Sequence, residues 1–204
     1  MDAKRLLPTA ATNMKEIEAK FLEINFEDIQ KKLKKLGVKK VFDKTFREAI
    51  YLPPKPSKKY DEWLKQRKRV RIRDTGEEVL LALKVNKKWG LSETEEVEVN
   101  VSSFEETEKF LKLLELEPLR YQEKRRISYK ADSAHIEIDF WPWVPAWLEI
   151  EAESEKKVKE WAKKLDLDWG KAEFRDAAAV YEEVYKVDIF NIGKVAFDLP
   201  DPRK

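Results

Sequence analysis

The sequence predicts an α+β fold in which eight strands form an antiparallel barrel or sandwich, with helices packed outside. Apolar and charged residues alternate in short blocks, which is the period-two pattern of half-buried strands. Four other segments place apolar residues at three-to-four spacing, as amphipathic helices do. These helices need an apolar surface to cover, and the strands offer one on their apolar faces. The charged strand faces are therefore expected to turn inward if the sheet closes.

The predicted strands follow the alternating blocks in chain order. Seven blocks are clear, and they cover residues 15–22, 67–73, 79–85, 93–101, 121–130, 134–140 and 147–153. An eighth, weaker strand is predicted over 46–52. Pro53 and Pro54 end it, because proline cannot donate a ladder hydrogen bond. The polar stretch that continues to Tyr60 is predicted to be a loop.

Four packing helices are predicted between the strands. Their segments are 26–36, the segment that begins at Ser103, 155–165 and about 172–185. Asn25 is the expected N-cap of the first helix, and Gly37 is its expected stop. Ser103 and Glu106 form a capping-box pattern before the apolar face of the second.

Domain organisation follows from length and from the ends of the chain. Residues 1–13 precede a second methionine and show no clear periodicity, so they are expected to be a disordered tail or a cloning remnant. A single domain is predicted over 14–186, because a chain of 204 residues builds one sizeable core. The remaining segment, 187–204, is predicted to be a tail that packs on the domain.

Composition excludes several classes of function. The 42 basic and 40 acidic residues nearly cancel to +2, which removes the bulk electrostatic argument for nucleic-acid binding. The absence of cysteine excludes disulfides, zinc–thiolate sites, thiol nucleophiles and iron–sulfur clusters. One histidine, His135, is too few for a His-rich metal site. No apolar run has the length of a membrane span or a signal peptide, so a soluble, cytoplasmic protein is expected.

Charged residues share one face of each strand, and acidic and basic strands are largely separate. In a strand, residues i, i+2 and i+4 lie on the same face. The sets are Glu16, Glu18 and Lys20; Arg69, Arg71 and Arg73; Lys84; Glu96 and Glu98; Lys124 and Arg126; His135, Glu137 and Asp139; Glu149 and Glu151. One interpretation is that each set is the solvated side of a sheet. His135 fits that interpretation better than a catalytic role.

The other interpretation is an ion-binding interior. A closed interior with both signs of charge must be wet and must hold ions, because unpaired ions lose their hydration there. Guanidinium groups bind phosphate oxygens in pairs, and lysine adds a point charge, so the basic faces suit a polyphosphate. Carboxylates suit Mg²⁺ or Mn²⁺, which prefer oxygen ligands and bridge to phosphates. Together these faces describe a metal–triphosphate site.

The same residues resemble a known family. Glu16-Ile-Glu18-Ala-Lys20 matches the ExExK signature of the CYTH domain, the triphosphate tunnel metalloenzymes, which include class IV adenylyl cyclases, thiamine triphosphatases and inorganic triphosphatases. The motifs that follow it in order are Arg71-Ile-Arg73, Lys84, Glu96-Val-Glu98, Lys124-Arg125-Arg126, Asp139 and Glu149-Ile-Glu151. The resemblance spans about 14–185, so the domain over 14–186 is expected to be CYTH-like.

The resemblance implies a fold and a set of roles. The family's fold is an eight-stranded antiparallel β-barrel that forms a triphosphate tunnel, with helices packed outside. The implied phosphate-binding residues are Lys20, Arg71, Arg73, Lys84, Lys124 and Arg126. The implied metal ligands are Glu16, Glu18, Asp139, Glu149 and Glu151. Glu96 and Glu98 anchor the arginines or complete the metal shell, Glu137 supports them, and the implied catalytic residues are Lys20, Glu18 and Arg73.

Three segments depart from the common family pattern or mark a branch of it. Thr94 stands where an arginine is frequent, and the segment around Glu48 lacks the usual Asp near a Tyr. The segment 141–147 looks like the Trp-Pro-x-x-Pro variant of a bacterial branch labelled cyclase-like. Its tryptophans are expected to pack as a lid on the barrel rim, with a base-stacking platform as the alternative.

The resulting functional hypothesis is Mg²⁺- or Mn²⁺-dependent hydrolysis of an inorganic, nucleoside or other organic triphosphate by water. The first alternative is a class IV-type adenylyl cyclase, in which the ribose 3′-hydroxyl attacks the α-phosphorus and pyrophosphate leaves. The second is a nucleotide- or polyphosphate-binding module without turnover. The expected partner is a triphosphate-containing small molecule, not a nucleic acid or a membrane, and the chain is expected to be a monomer or a homodimer.

Overall fold

The structure is a computed structural model that describes residues 17–86 and 94–204. Its strands are β1 (Ile17–Phe21), β2 (Lys39–Leu52), β3 (Lys68–Asp74), β4 (Val79–Asn86), β5 (Thr94–Val101), β6 (Glu117–Ala131), β7 (Ala134–Trp141), β8 (Val144–Ala152) and the two-residue β9 (Lys194–Val195). Its α-helices are α1 (Phe26–Lys35), α2 (Lys58–Lys65), α3 (Phe104–Leu113), α4 (Glu155–Lys164) and α5 (Ala177–Ala179). A 3₁₀ turn covers Trp169–Lys171, and a π turn covers Val180–Val184.

The first eight strands form one curled antiparallel sheet. Their order is β1-β8-β7-β6-β2-β3-β4-β5, and β9 adds a short parallel pairing to β6. This confirms the predicted eight-stranded antiparallel barrel fold with helices outside, and it excludes the two-sheet sandwich. All eight predicted strands are present, and the boundaries of most shift by one to four residues. The exception is β2, which begins at Lys39, seven residues before the predicted start.

The apolar strand faces point outward to the helices. In β7, Ile136 and Ile138 are fully buried in the largest core cluster, while the intervening Glu137 lies on the opposite face. Helices α1 and α4 cover this side, with Leu33 and Val158 fully buried against the sheet. The strict alternation of β7 therefore sends its isoleucines to the helix shell and its charges to the interior.

Helix α3 covers the other half of the sheet. Phe104 and Leu111 pack against Ala49, Tyr51 and Ile72 of β2 and β3. The hydroxyl of Tyr51 also donates a 2.6 Å hydrogen bond to Glu108 of α3. Helices therefore cover the outer side of the sheet from β1 to β3 in the strand order, while Val97 and Val99 of the end strand β5 are about half exposed.

The predicted loop up to Tyr60 is wrong, because α2 begins at Lys58. The side chain of Ser57 caps this helix by accepting a hydrogen bond from the backbone N–H of Tyr60 at 3.1 Å. Tyr60, Trp63 and Leu64 have helical spacing, but the lysines between them make the short segment polar overall. The apolar pattern of this segment is therefore too short to distinguish a helix from a charged loop.

The predicted fourth helix is also wrong over its first five residues, 172–176. Glu173 instead exchanges two backbone hydrogen bonds with Lys20 of β1, at 2.8 and 2.9 Å. A helix through this position would lose these bonds to the edge of the sheet. The helical turns begin only after the N-cap Asp176.

The tryptophan-rich turn between β7 and β8 packs against the C-terminal part of the chain. The Trp141 and Trp147 rings stack at 5.5 Å, and the Tyr181 hydroxyl donates to the Pro142 carbonyl at 2.6 Å. Val187 and Val195 are buried in the same cluster. The packing interpretation of the turn is therefore confirmed, although Trp141 also reaches the interior of the barrel.

The helices of the described ranges are all too short or too polar to cross a membrane.

The packing of α1 gives the first testable prediction. Leu33→Ala should lower the free energy of unfolding by roughly 2–5 kcal/mol, because the side chain is fully buried and its removal leaves a cavity. Leu36→Ala, three residues on and 41% exposed, should change it by about 0.5 kcal/mol or less. Urea denaturation followed by circular dichroism measures both, and equal losses would contradict the packing described for α1.

Candidate functional site

The inward faces of the strands enclose a cavity of about 210 Å³ whose wall is mostly ionised. Its basic residues are Lys20, Arg69, Arg71, Arg73, Lys84, Arg120, Lys124 and Arg126. Its acidic residues are Glu18, Glu48, Glu96, Glu98, Glu137, Glu149, Glu151 and Asp176. The charged faces predicted from strand parity therefore meet in one interior space.

Most of the residues predicted for the site line this cavity. There are two exceptions: Glu16 lies outside the described residues, and Asp139 is buried and does not line the cavity. His135, which was expected to be solvated, is exposed and does not line the cavity either. The side chain of Thr94 also lies outside the described part of the chain.

Strands β1 and β8 place a lysine among carboxylates. Their register pairs Glu18 with Glu151 and Lys20 with Glu149. The Lys20 ammonium contacts the Glu18 carboxylate and lies 3.8 Å from Glu149 Oε1. Burial lowers the pKa of Lys20, but the two carboxylates outweigh it and hold that pKa above its usual value. Lys20 therefore remains a cation at this end of the site.

Arg126 of β6 is held by carboxylates of β7 and β8. Its Nε and Nη2 atoms donate to the two oxygens of Asp139 at 2.6 Å each, and Nη2 also donates to Glu149 at 2.7 Å. Glu137 contacts the same guanidinium. Burial opposes the charge, but the three carboxylates raise the pKa of Arg126 well above its usual value.

Asp139 is fully buried, and both of its oxygens are engaged. Besides the two bonds from Arg126, it accepts a 3.3 Å hydrogen bond from Lys124 Nζ. The side chain thus holds two cations of the wall in place. It does not present a free oxygen to the cavity.

A buried series of side-chain hydrogen bonds links strands β2, β3 and β6. Arg73 Nε and Gln122 Nε2 each donate to one oxygen of Glu48 at 2.6 Å, and Arg120 Nε donates to Gln122 Oε1 at 2.7 Å. Burial raises the pKa of Glu48, but Arg73 and Arg71 overcome this effect and hold it below its usual range. Glu48 is thus an ionised anchor for Arg73.

Four polar or charged residues of this wall were absent from the predicted charged faces, and they are Glu48, Arg120, Gln122 and Asp176. The signal for two of them was present. Arg120, Gln122, Lys124 and Arg126 have the same strand parity, but the predicted strand began at Tyr121 and so left Arg120 outside. Asp176 fell inside a helix that does not form there.

Two glutamates of β5 bind the guanidinium of Arg71 on β3. Its Nη2 donates to Glu96 at 3.0 Å and to Glu98 at 3.1 Å, and Lys84 pairs with the second oxygen of Glu96. Burial and the neighbouring Arg73 lower the pKa of Arg71 from its usual value. The contacts of Glu96 and Glu98 are thus with cations of the wall.

The balance of charges limits what this cavity can bind. Among the described residues, eight cationic side chains face eight acidic ones. A polyanion that enters must therefore displace carboxylates from their partners or bring its own cation. Carboxylate oxygens suit hard divalent cations, and Glu18, Glu149 and Glu151 supply them on two paired strands.

The described residues contain no preformed cluster of three or more metal-binding side chains. Mg²⁺ is usually held by one or two carboxylates and completes its shell with waters and phosphate oxygens. The oxygens of Glu18, Glu149 and Glu151 on the paired strands β1 and β8 are of the type that such an ion binds.

Comparisons with known proteins agree with this architecture. The sequence profile of the CYTH domain matches residues 14–178. A search of curated proteins finds no significant match.

Solved structures share the fold at low sequence identity. A Pyrococcus horikoshii protein is 24% identical and has a TM-score of 0.66, covering 79% of this chain and 96% of its own. A candidate adenylate cyclase from Vibrio parahaemolyticus is 15% identical and has a TM-score of 0.71, covering 84% and 99%. A candidate adenylyl cyclase from Hippeastrum, reported to have a dominant triphosphatase activity, is 17% identical and has a TM-score of 0.59, covering 82% and 95%.

The shifted pKa of Lys124 predicts that ligand affinity depends on pH. Burial and the nearby Arg126 lower the pKa of Lys124 to about 8. A bound polyanion favours the charged lysine, so affinity for inorganic triphosphate should fall as the pH rises above 8, by up to about tenfold per pH unit. Calorimetric titrations between pH 7 and 9.5 measure this.

Lys124→Arg is the control, because arginine keeps its charge over this range. The ligand titrates equally with both proteins, so the difference between them reports on Lys124. Identical pH profiles for the two proteins would contradict the prediction.

Proposed function

Because this chain belongs to the CYTH domain family, we propose that it is a divalent-metal-dependent hydrolase that cleaves the terminal phosphoanhydride bond of a triphosphate inside its barrel. The observation that carries the proposal is the charged cavity, where the structure describes eight cationic side chains beside eight acidic ones. Triphosphates are the substrates typical of this family. Their charge and length match a wall that has guanidinium groups on several strands.

The arginines supply the phosphate contacts. Arg71, Arg73 and Arg126 are each fixed by a carboxylate that itself belongs to a strand of the wall. This pairing fixes the position of each guanidinium before the substrate arrives, and pre-positioned charge is the main source of stabilisation in phosphoryl transfer. Lys20, Lys84 and Lys124 add point charges around them.

The divalent ion is assigned to the side where β1 meets β8. Glu18, Glu149 and Glu151 would hold it there, with Glu16 as a further ligand from the part of the chain outside the described residues. A bound Mg²⁺ or Mn²⁺ neutralises negative charge on phosphate oxygens. Asp139 was expected among these ligands, but it is fully buried and does not line the cavity, so we assign it to the positioning of Arg126 and Lys124.

The reaction itself requires little covalent chemistry from the protein. A water attacks the terminal phosphorus, the bridging P–O bond breaks, and the leaving diphosphate takes up the electron pair. Arg73 and Arg126 stabilise the charge that develops on the transferred and leaving groups. Glu18 is assigned as acceptor of the proton from water, because Lys20 beside it stays protonated and cannot act as the base.

Phosphorus NMR of the full chain tests the proposal. The protein is incubated with inorganic triphosphate and separately with ATP, in Mg²⁺ and then in Mn²⁺. Release of orthophosphate is the expected result. Formation of pyrophosphate and a cyclic nucleotide from ATP would show that the protein is a cyclase and not a hydrolase. Binding of the triphosphate without any product would show that it is a binding module.

Two variants test the assigned roles. Arg73→Lys and Glu149→Gln should each lower the hydrolysis rate by roughly 100-fold or more, because each removes a contact to the reacting phosphates or to the ion. His135→Ala is the matched control, since this residue lies on β7 but is exposed and outside the cavity. Circular dichroism checks that all three variants are folded. Unchanged hydrolysis in both site variants would contradict the assignment.

A further inference from the structure

The apolar outer face of the sheet continues beyond the helix that packs on it. Val97 and Val99 belong to β5, the last strand in the strand order, and are 51% and 48% exposed. The register of β4 and β5 places them directly opposite Leu83 and Leu81, so the four side chains share one face. The two leucines pack against the core cluster under α3. The valines therefore extend this apolar face by one strand, towards solvent.

The contacts of α3 show which of its flanks faces β5. Leu111 is buried against the sheet. Glu108 and Leu114 lie three residues before and after it, which places them about 60° to either side of it on the helix. Glu108 accepts hydrogen bonds from Tyr51 of β2 and Tyr121 of β6, at 2.6 and 2.7 Å. Because β4 and β5 lie on the other side of β3, the flank with Leu114 faces them.

The exposed apolar residues of α3 lie on this flank and on the outer surface of the helix. Phe110 and Leu114 are 57% and 52% exposed on the flank. Leu113 is 84% exposed, and it lies about 160° around the helix from the buried Leu111, so it points away from the sheet. Single exposed apolar residues are common on protein surfaces, whereas a contiguous apolar patch marks an interaction site.

The flank of α3 and the face of β4 and β5 form a groove, which we call the edge groove. Two neighbouring strands cover about 10 Å of a sheet, and packed helices lie 8–10 Å apart. The groove is therefore as wide as one helix. Its floor and its side wall are formed by Leu81, Leu83, Val97 and Val99, and by Phe110 and Leu114.

The same surface also carries a ridge that fits such a groove. The ridge is α3 itself, whose outer residue Leu113 and flank residue Phe110 are apolar and exposed. A surface that holds both a groove and its matching ridge is self-complementary, which is the condition for an interface around a two-fold axis.

We propose that the edge groove binds α3 of a second copy of this chain, and that α3 of the first copy fills the groove of the second. Leu113 of each copy then lies on Val97 and Val99 of the other, and the Phe110 flanks of the two helices face each other. The groove and the charged cavity lie on opposite faces of the sheet, since Glu96 and Glu98 of β5 line the cavity. The inference therefore goes beyond the proposed reaction and does not rest on it.

Sedimentation velocity of the full chain over a series of concentrations tests the proposal. The unaltered chain should associate to twice the mass of one chain. Leu113→Glu and Val97→Lys should each raise the dissociation constant of the dimer by roughly 100-fold or more, because a charge then enters an apolar contact and each change occurs twice. The two sites are exposed in the single chain, so circular dichroism should show both variants folded.

The double variant tests the contact itself. When Leu113→Glu and Val97→Lys are combined in one chain, the glutamate of each copy meets the lysine of the other. The double variant should therefore bind itself roughly tenfold or more tightly than either single variant does. A merely general effect of added charge would give no such recovery.

Two control variants make the same changes outside the groove. Leu36, at the end of α1, is 41% exposed, and Val41 of β2 is 57% exposed. Leu36→Glu and Val41→Lys should leave the dissociation constant within about twofold of that of the unaltered chain.

Three results would overturn the inference. A chain that stays monomeric at every concentration would show that a second copy does not occupy the groove, even if a helix of another protein does. A dimer that resists both single substitutions would use a different face. A double variant no tighter than the single variants would show that Leu113 and Val97 do not meet across the interface.

Discussion

The structure depends on ion pairs that face inward. Most strands pack their apolar face against the helices, so their charged face has only the interior left, and buried charges are tolerated only when they are paired. Arg126 with Asp139, Arg73 with Glu48, and Arg71 with Glu96 satisfy this condition on three parts of the wall. Removing one partner would leave an uncompensated charge, at a cost of roughly 3–5 kcal/mol.

The same pairing explains how such a wall can serve a polyanion. A guanidinium bound to a fixed carboxylate has lost its freedom in folding and does not lose it again when a ligand binds. The balance of eight cations and eight carboxylates among the described residues of the wall also makes a polyanion alone a poor ligand. A polyanion with a divalent cation restores the balance, which is why the proposed substrate and the proposed ion are linked.

The strands and their inward charges could be predicted from the sequence, because alternation of side chains is a local property of a strand. Arg71, Arg73 and Glu149 reach the cavity for that reason alone. Other features depend on contacts between distant segments. The backbone hydrogen bonds between Glu173 and Lys20 hold in an extended conformation a segment that was predicted to be helical. The position of the Arg120 guanidinium depends on its contacts with Gln122 and with Phe190 of the C-terminal segment.

If the ion-paired interior holds the phosphate chain, a crystal structure of the protein with inorganic triphosphate and Mg²⁺ should show it there. We expect phosphate oxygens within hydrogen-bonding distance of Arg71, Arg73 and Arg126 inside the barrel, with the ion on carboxylates of β1 and β8. A triphosphate bound to lysines of the outer surface, with the interior ion pairs unchanged, would contradict it.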